Sequence, residues 1–453
     1  MSGTGYGRIA GRAASLAVFT LVGLLVGCSQ QVSREEEAPR VPAASNRVPI
    51  VLVPGISRET ARIMKGGSLT PFSALSLRMD GDAMAHLGDP QFPVDGASPA
   101  KIPVQLDREL RGTDVRGFQR IIDQLVREEG YVRGDPERPR DKDYPENAKD
   151  DREDRTRVAS LFVLYYDWRR DLAESACFVA ERIARIRAAT GAPRVLLVGN
   201  SLGGVVAQYY LRYGGRDAMR GRDCPEKDAA LAAEVNAPGA KWVNRAILLA
   251  APFQGSALAF RALMEDFRLL GMVGVGLRDA VFTMPVAWEL LPFADPEGRV
   301  ALLVGDNGEQ RVPLYDAHTW VARGWLPGNG ADPERVRFVG AMLARAAEIH
   351  RSLQGHNPAE ESVPRLVVGS ECRPTLTRAV VAEGKLKFLG RDQADDPLFG
   401  RATAPGDGIV TAESAFGLPP SPTLTVLPVC SGHNTYLEDP DIRDHVVQFL
   451  LKP

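Results

Sequence analysis

The stretch VLLVGNSLGG, residues 195–204, holds the side chains best suited to chemistry. An apolar run ends on a glycine, a lone serine, Ser201, follows, and two more glycines precede a helical pattern. This is G-x-S-x-G between a strand pattern and a helix pattern, the setting in which a sharp turn holds a serine hydroxyl out at a strand end. Glycines suit that turn because neighbours with a Cβ would collide with the adjacent elements. A helix beginning at Leu202 would aim its first N–H groups at the same spot, so the Leu202 amide can stabilise an oxyanion. The competing reading is an inert strand-to-helix turn. A serine hydroxyl is a weak nucleophile by itself, and needs a base to take its proton and an acid to orient that base.

The elements that would position such a group can be read from patterning. Short apolar runs alternate with helical patterns: VPIVLVPG at 48–55, SLFVLYYDWR at 160–169, RVLLVG at 194–199, RAILLAAP at 245–252, RLVVGS at 365–370 and TLTVLPV at 423–429. Between them lie amphipathic stretches. Phe118, Ile121, Ile122, Leu125 and Val126 share one helical stripe, and Leu172, Ala176, Val179, Ile183 and Ile186 another, which Gly191 stops. A helix over 202–213 and a closing helix over about 440–451 complete the pattern. Such alternation predicts an α/β fold with a mostly parallel sheet and helices on both faces. With a serine turn at a strand end, it predicts the α/β-hydrolase architecture. Residues 257–356 offer no strand to the main sheet and are expected to form a helical cap over its C-terminal edge. The charged, proline-containing run 133–157 is expected to be a solvated loop.

In α/β-hydrolases the acid follows the serine in the chain, and the base comes last. Three histidines fall at or beyond the end of the cap: His356, His433 and His445. His433 lies in CSGHNTY, just after the last strand, where a base would overhang the sheet edge. His445 sits inside the closing helix and His356 in a cap-side linker, both suited to structural roles. For the acid, GDGIV at 406–410 puts Asp407 in a glycine-flanked loop before the last strand. Glu413, Asp395 and Asp396 are the other candidates.

PIVLVPG, GYV ahead of YDWR, GNSLGG, LAAPFQGS, MPVAWELLP, GDGIV and the late GH occur in the order seen in lecithin:cholesterol acyltransferase-like proteins. That group includes lysosomal phospholipase A2 and phospholipid:diacylglycerol acyltransferases. The resemblance runs from about residue 48 to the C-terminus and is to a bacterial lipoprotein member of the group. It implies Ser201 as nucleophile, Asp407 as acid and His433 as base. Ile56, after VPG, would give a second oxyanion amide beside that of Leu202. Tyr166, Asp167, Trp168 and Arg169 would support the site.

The N-terminus has its own pattern. Arg8 and Arg12 precede a short apolar run, residues 13–27, which ends at Cys28. A basic segment and a short apolar core describe an export signal rather than a membrane span. LVGC at 25–28 resembles the bacterial lipobox, which implies cleavage before Cys28 and a lipid on its thiol; the competing reading is an uncleaved anchor helix. The expected organisation is a signal peptide over 1–27, a tether over 28–46, hydrolase core over 47–256, cap over 257–356 and core again over 357–453. The expected location is the bacterial cell envelope, on the periplasmic side of the outer membrane.

Four cysteines remain, an even number that suits disulfides in an exported protein and permits three pairings. Cys372 and Cys430 each end a late strand, and neighbouring parallel strands would bring those ends together; Cys177 and Cys224 are then left to each other. Four free thiols are the alternative. No C-x-x-C spacing is present, so zinc is not expected. A net charge of -2 and no basic stripe give no footprint for nucleic acid.

These observations together predict a serine-dependent lipid ester hydrolase or O-acyltransferase, acting without metal or organic cofactor, tethered to a membrane through Cys28. The rivals are a carboxylesterase for small soluble esters, a peptidase or amidase on the same fold, and a catalytically silent lipid-binding lipoprotein. The apolar residues of 258–293 either roof an acyl channel, with Trp288 and Leu291 on its wall, or form a mini-core of their own.

Overall fold

The computed structural model describes residues 47–56, 118–139, 158–166, 168, 170–265, 281–282, 284–326 and 333–452. Cys28, Asp167 and Arg169 lie outside the described residues, so the lipidation reading and two of the supporting residues have no structural counterpart here. Among the described residues no helix is long and apolar enough to cross a membrane.

The six apolar runs form one sheet: β1 (Ile50–Val53), β2 (Leu161–Val163), β3 (Val195–Asn200), β4 (Val243–Leu249), β5 (Arg365–Ser370) and β6 (Leu424–Val429). Their order is β6-β5-β4-β3-β1-β2, and every neighbouring pair is parallel. A parallel sheet is covered on both faces, which is why its strands read as continuous apolar runs rather than alternating ones. Val51 and Val53 enter one core with Leu197, Ala246 and Leu248. Ile50 and Leu52 enter the other with Val198, Ile247 and Leu249. Successive side chains thus supply opposite faces, as the strand period of two requires.

The first face is covered by α2 (Leu172–Thr190) and α3 (Leu202–Tyr213), the second by α1 (Gln119–Arg127) and α7 (Pro440–Leu451). Helix α2 begins where the Asp171 side chain accepts from the Ala173 amide and ends at Gly191, whose φ of 71° takes the left-handed conformation that only glycine adopts cheaply. Strand order reverses between β1 and β3, and the crevice beyond the C-terminal ends at such a point is where open α/β sheets place their ligands.

Among the described residues between β4 and β5, the segment expected as a cap, lie α4 (Ala257–Met264), α5 (Pro285–Glu289) and α6 (Pro333–Leu353). It also carries a hairpin, Val300–Gly305 with Gly308–Val312, that the sequence did not reveal. The hairpin joins Ala379–Ala382 and Lys385–Lys387 in a separate four-stranded sheet. The segment expected as a solvated loop begins differently: Arg133, Gly134, Asp135 and Pro136 are buried, because the Val132 carbonyl and the Gly134 amide pair with the start of β2.

Candidate active site

Ser201 stands between β3 and α3 with φ 55° and ψ -126°, a conformation that costs a residue with a side chain on the order of 1–3 kcal/mol. The surroundings enforce it. A Cβ on Gly203 would lie 2.1 Å from the Val53 carbonyl oxygen, and one on Gly199 would lie 2.5 Å from that of Gly203. The glycines of the motif are therefore imposed by the approach of β1, β3 and α3 to one another. The Ser201 side chain does not cap its helix, so the N-terminal amides of α3, that of Leu202 first, keep their partial positive charge for a ligand. Instead Ser201 Oγ lies 2.9 Å from His433 Nε2, across 232 residues of chain.

His433 Nδ1 lies 2.8 Å from Asp407 Oδ2 on the other side. The Asp407 carboxylate is fully used. Its Oδ1 accepts from the amides of Ile409 and Val410 at 2.9 and 2.8 Å, and its Oδ2 also accepts from the Tyr436 hydroxyl at 3.1 Å. Burial acts to raise the Asp407 carboxyl pKa, but the His433 hydrogen bond and charge with the two amides outweigh it and hold the carboxyl below its ordinary value. Burial, then the adjacent Asp407 charge, push the Tyr436 hydroxyl far up, so it stays a donor. Tyr436 was not singled out from sequence; its only signal is a tyrosine three residues past the histidine in CSGHNTY.

The loops that hold Asp407 and His433 are tied to each other. Arg373–Leu376 pairs with Thr403–Gly406, which delivers Asp407. The Gly408 amide donates to Thr375 Oγ1 at 2.8 Å, and the His433 amide to the Asp407 carbonyl at 3.2 Å. Ser370 of β5 stands opposite Val429 of β6, so the next residues run side by side and Cys372 is bonded to Cys430, their Cα atoms 5.3 Å apart. Cys177 is bonded to Cys224 at a Cα separation of 5.5 Å, on α2 and the loop after α3. Glu181 lies beside that second pair, but sulfurs bonded to each other offer a metal no thiolate.

The remaining candidates lie elsewhere. Asp396 pairs with Lys387, Asp395 is exposed, and Glu413 borders a different surface cleft. His356 is an exposed partner of Glu361, and His445 lies within α7. Tyr166 is buried with its hydroxyl unpartnered, and Trp168 lines the cavity at the serine.

That cavity, about 100 Å3, is walled by Ile56, Trp168, Ser201 and Leu202 on the core side. Leu258, Ala262, Met284, Ala287 and Leu290 wall it from the cap. The apolar segment around α5 divides between this cavity and the main core, so it forms no mini-core of its own. Val286, Ala287 and Leu290 face the cavity. Trp288 and Leu291, expected on the channel wall, are fully buried on the other side. Trp288 packs on Phe282 and Trp320, with centroids 4.8 and 4.9 Å away, and its Nε1 donates to the Phe282 carbonyl at 2.9 Å.

Residues 155–288 match the family model for lecithin:cholesterol acyltransferase. Comparison with curated proteins gives no match. Among solved structures, the chain is similar to one from the crystal structure of a Tle4–Tli4 complex, at 13% identity, covering 87% of this chain and 96% of that one, with a TM-score of 0.46. It is also similar to Bacillus licheniformis lipase BlEst2 in mature form, at 14% identity over 65% of this chain and 80% of that one, TM-score 0.32. A third is a Listeria innocua gene product, at 12% identity over 90% and 95%, TM-score 0.32. The six-stranded parallel sheet with helices on both faces and the serine turn at the end of β3 give the chain an α/β-hydrolase fold, and residues 155–288 are its segment similar to lecithin:cholesterol acyltransferase.

Proposed function

We propose that the protein is a serine-dependent lipid ester hydrolase or O-acyltransferase. The observation that carries this reading is the unbroken line from Ser201 Oγ through His433 to Asp407, opening onto an apolar cavity under the cap. In the reaction, Ser201 Oγ attacks the ester carbonyl as its proton passes to His433 Nε2. The Leu202 and Ile56 amides stabilise the oxyanion. His433 returns the proton to the leaving alcohol, and Ser201 is left acylated. Water or a second alcohol, deprotonated by His433, then attacks the acyl carbonyl and frees the serine. Asp407 keeps its charge throughout and holds the imidazole with Nδ1–H toward itself, the tautomer that leaves Nε2 free to accept.

The matched family segment supports an acyl chain as the cargo, and the apolar cavity wall gives it somewhere to lie. Each methylene buried there contributes about 0.8 kcal/mol, nearly fourfold in affinity. The test is kcat/KM for p-nitrophenyl esters from acetate to octanoate. A steady climb is expected, flattened by Leu290→Asn on the cavity wall. A wild-type preference for acetate would remove the lipid assignment and leave an esterase for small soluble esters. Product analysis with phospholipid, with and without a long-chain alcohol, separates hydrolysis from transfer. A lipid on Cys28 would hold the enzyme at the membrane that supplies its substrate; the mass of the mature N-terminus tests it, and an unmodified Cys28 would overturn it.

A further inference from the structure

A second cavity, about 400 Å3, adjoins the first; Leu258 and Ile409 line both. Its wall includes His433, Asp407 and three arginines, Arg261, Arg373 and Arg391. Arg261 is paired with Glu265 on its own helix. Arg373 and Arg391 have no carboxylate partner among the described residues, and their guanidinium groups are seated against the two loops of the candidate site. Arg373 lies over Gly432, the residue before His433: a Cβ there would be 2.7 Å from Nη1 and 2.8 Å from Cζ. Arg391 lies over Gly408, the residue after Asp407, with Nη2 3.2 Å from where a Cβ would be. Both glycines therefore leave room for a cation beside the residues that flank the reacting serine.

The charge balance of this cavity is one-sided. Asp407 is the one carboxylate on its described wall, is 3% exposed, and already accepts four hydrogen bonds. Nothing there is left to receive an ammonium group, whereas two guanidinium forks are available, and such forks match the geometry of phosphate oxygens. From this juxtaposition we propose that Arg373 and Arg391 form an anion subsite for the phosphate of the ester substrate. The subsite selects phospholipid esters whose headgroup is net negative over zwitterionic and neutral ones. It rests on the proposed ester chemistry at Ser201 and names the part of the substrate that lies beyond the scissile bond. The acyl chain enters the apolar cavity and the phosphate enters the basic one, so that the ester carbonyl is drawn to Ser201 from both sides.

The full chain is assayed on dihexanoylphosphatidylglycerol, dihexanoylphosphatidylcholine and dihexanoylglycerol as monomers, which excludes attraction to a charged surface. The expected order of kcat/KM is phosphatidylglycerol first, by about tenfold or more, the worth of one charge-assisted hydrogen bond. Arg373→Gln and Arg391→Gln should each lower activity on phosphatidylglycerol at least tenfold more than on dihexanoylglycerol. Arg351→Gln, on the exposed side of α6, should leave the selectivity unaltered. Inorganic phosphate distinguishes a general phosphate site from one that needs the lipid: as the former, it competes with phosphatidylglycerol and not with dihexanoylglycerol. Equal rates on the two phospholipids, or selectivity that survives both arginine variants, overturns the proposal. If no ester is turned over, the catalytic reading fails separately, and calorimetric binding of the same lipids to Ser201→Ala still decides the subsite: no preference for phosphatidylglycerol refutes it.

Discussion

Asp407 beside His433 and Glu289 at the junction of cap and core are buried to similar depth, at 3% and 5% exposure, yet their carboxyl groups are driven in opposite directions. Asp407 meets four donors, and its pKa falls. Glu289 accepts from the Leu172 amide at 2.9 Å through one oxygen, while the other finds no partner. Burial and the adjacent Asp171 charge lift its pKa well above the ordinary value, against the pull of Arg345. Asp171, in the same cluster, falls the other way: burial would raise it, but Arg345 and the Ala173 amide hold it below its ordinary value. Depth sets the penalty on a charge, and the donors decide whether the charge survives it. The molecule favours the charged form of the carboxyl beside His433 and disfavours that of the carboxyl where cap and core are joined.

The comparison can be broken first at its catalytic end. Ser201→Ala and Asp407→Asn should each cut kcat by roughly four to six orders of magnitude, with little change in melting temperature for the serine variant and a lowered one for the aspartate variant, which loses the buried charge its donors face. Retention of more than a few per cent of activity would remove the assigned roles.

At the junction the expected loss is in stability instead. Arg345 is 3% exposed and bridges Asp171 at 2.9 Å and Asp217 at 3.0 Å. Arg345→Met strands two buried carboxylates and should cost about 3–5 kcal/mol in denaturant unfolding, while activity per folded molecule holds. A variant as stable as wild type would show the cluster to be solvated.

Tyr436→Phe removes one donor of four from Asp407. A stability loss of about 1 kcal/mol is expected, along with a several-fold fall in kcat and no change in KM. A KM effect alone would place the hydroxyl in substrate binding.

Glu289→Gln should be the mildest at pH below the ordinary carboxyl value, within about 0.5 kcal/mol, since an amide resembles a protonated carboxyl. The signs then separate the two carboxyls. A raised folded pKa contributes fully below the unfolded value and loses that contribution as pH rises from there to the raised one, so wild type should weaken relative to Glu289→Gln as pH rises above the ordinary carboxyl value. Asp407, with a lowered pKa, contributes above its ordinary value and loses it as pH falls. Parallel stability profiles for wild type and Glu289→Gln would mean that Glu289 is already ionised.

What could be read from sequence follows the same physics. Strands buried on both faces, such as IVLV and VLLVGN, must be continuously apolar and stand out. The strands RPTL and GEQRV are short and partly exposed, so no pattern marks them. Ser201, Asp407 and His433 draw notice because glycines punctuate the turns that hold them. Helix α5 is only five residues long, too short for periodicity to tell Trp288's side from Ala287's. Glu289 reads as one acid in WELLP; its role depends on α2 and α6 arriving from distant parts of the chain, which no local pattern encodes.

The separation of 232 positions between Ser201 and His433 also bears on when, under the proposed chemistry, the protein becomes reactive. The strained turn is laid down before the midpoint of the chain, but the histidine hydrogen-bonded to its serine follows the last strand of the sheet. A nascent or C-terminally clipped chain carries the serine without its base. Under the proposed chemistry, ester cleavage is thereby deferred until the final strand and α7 are in place.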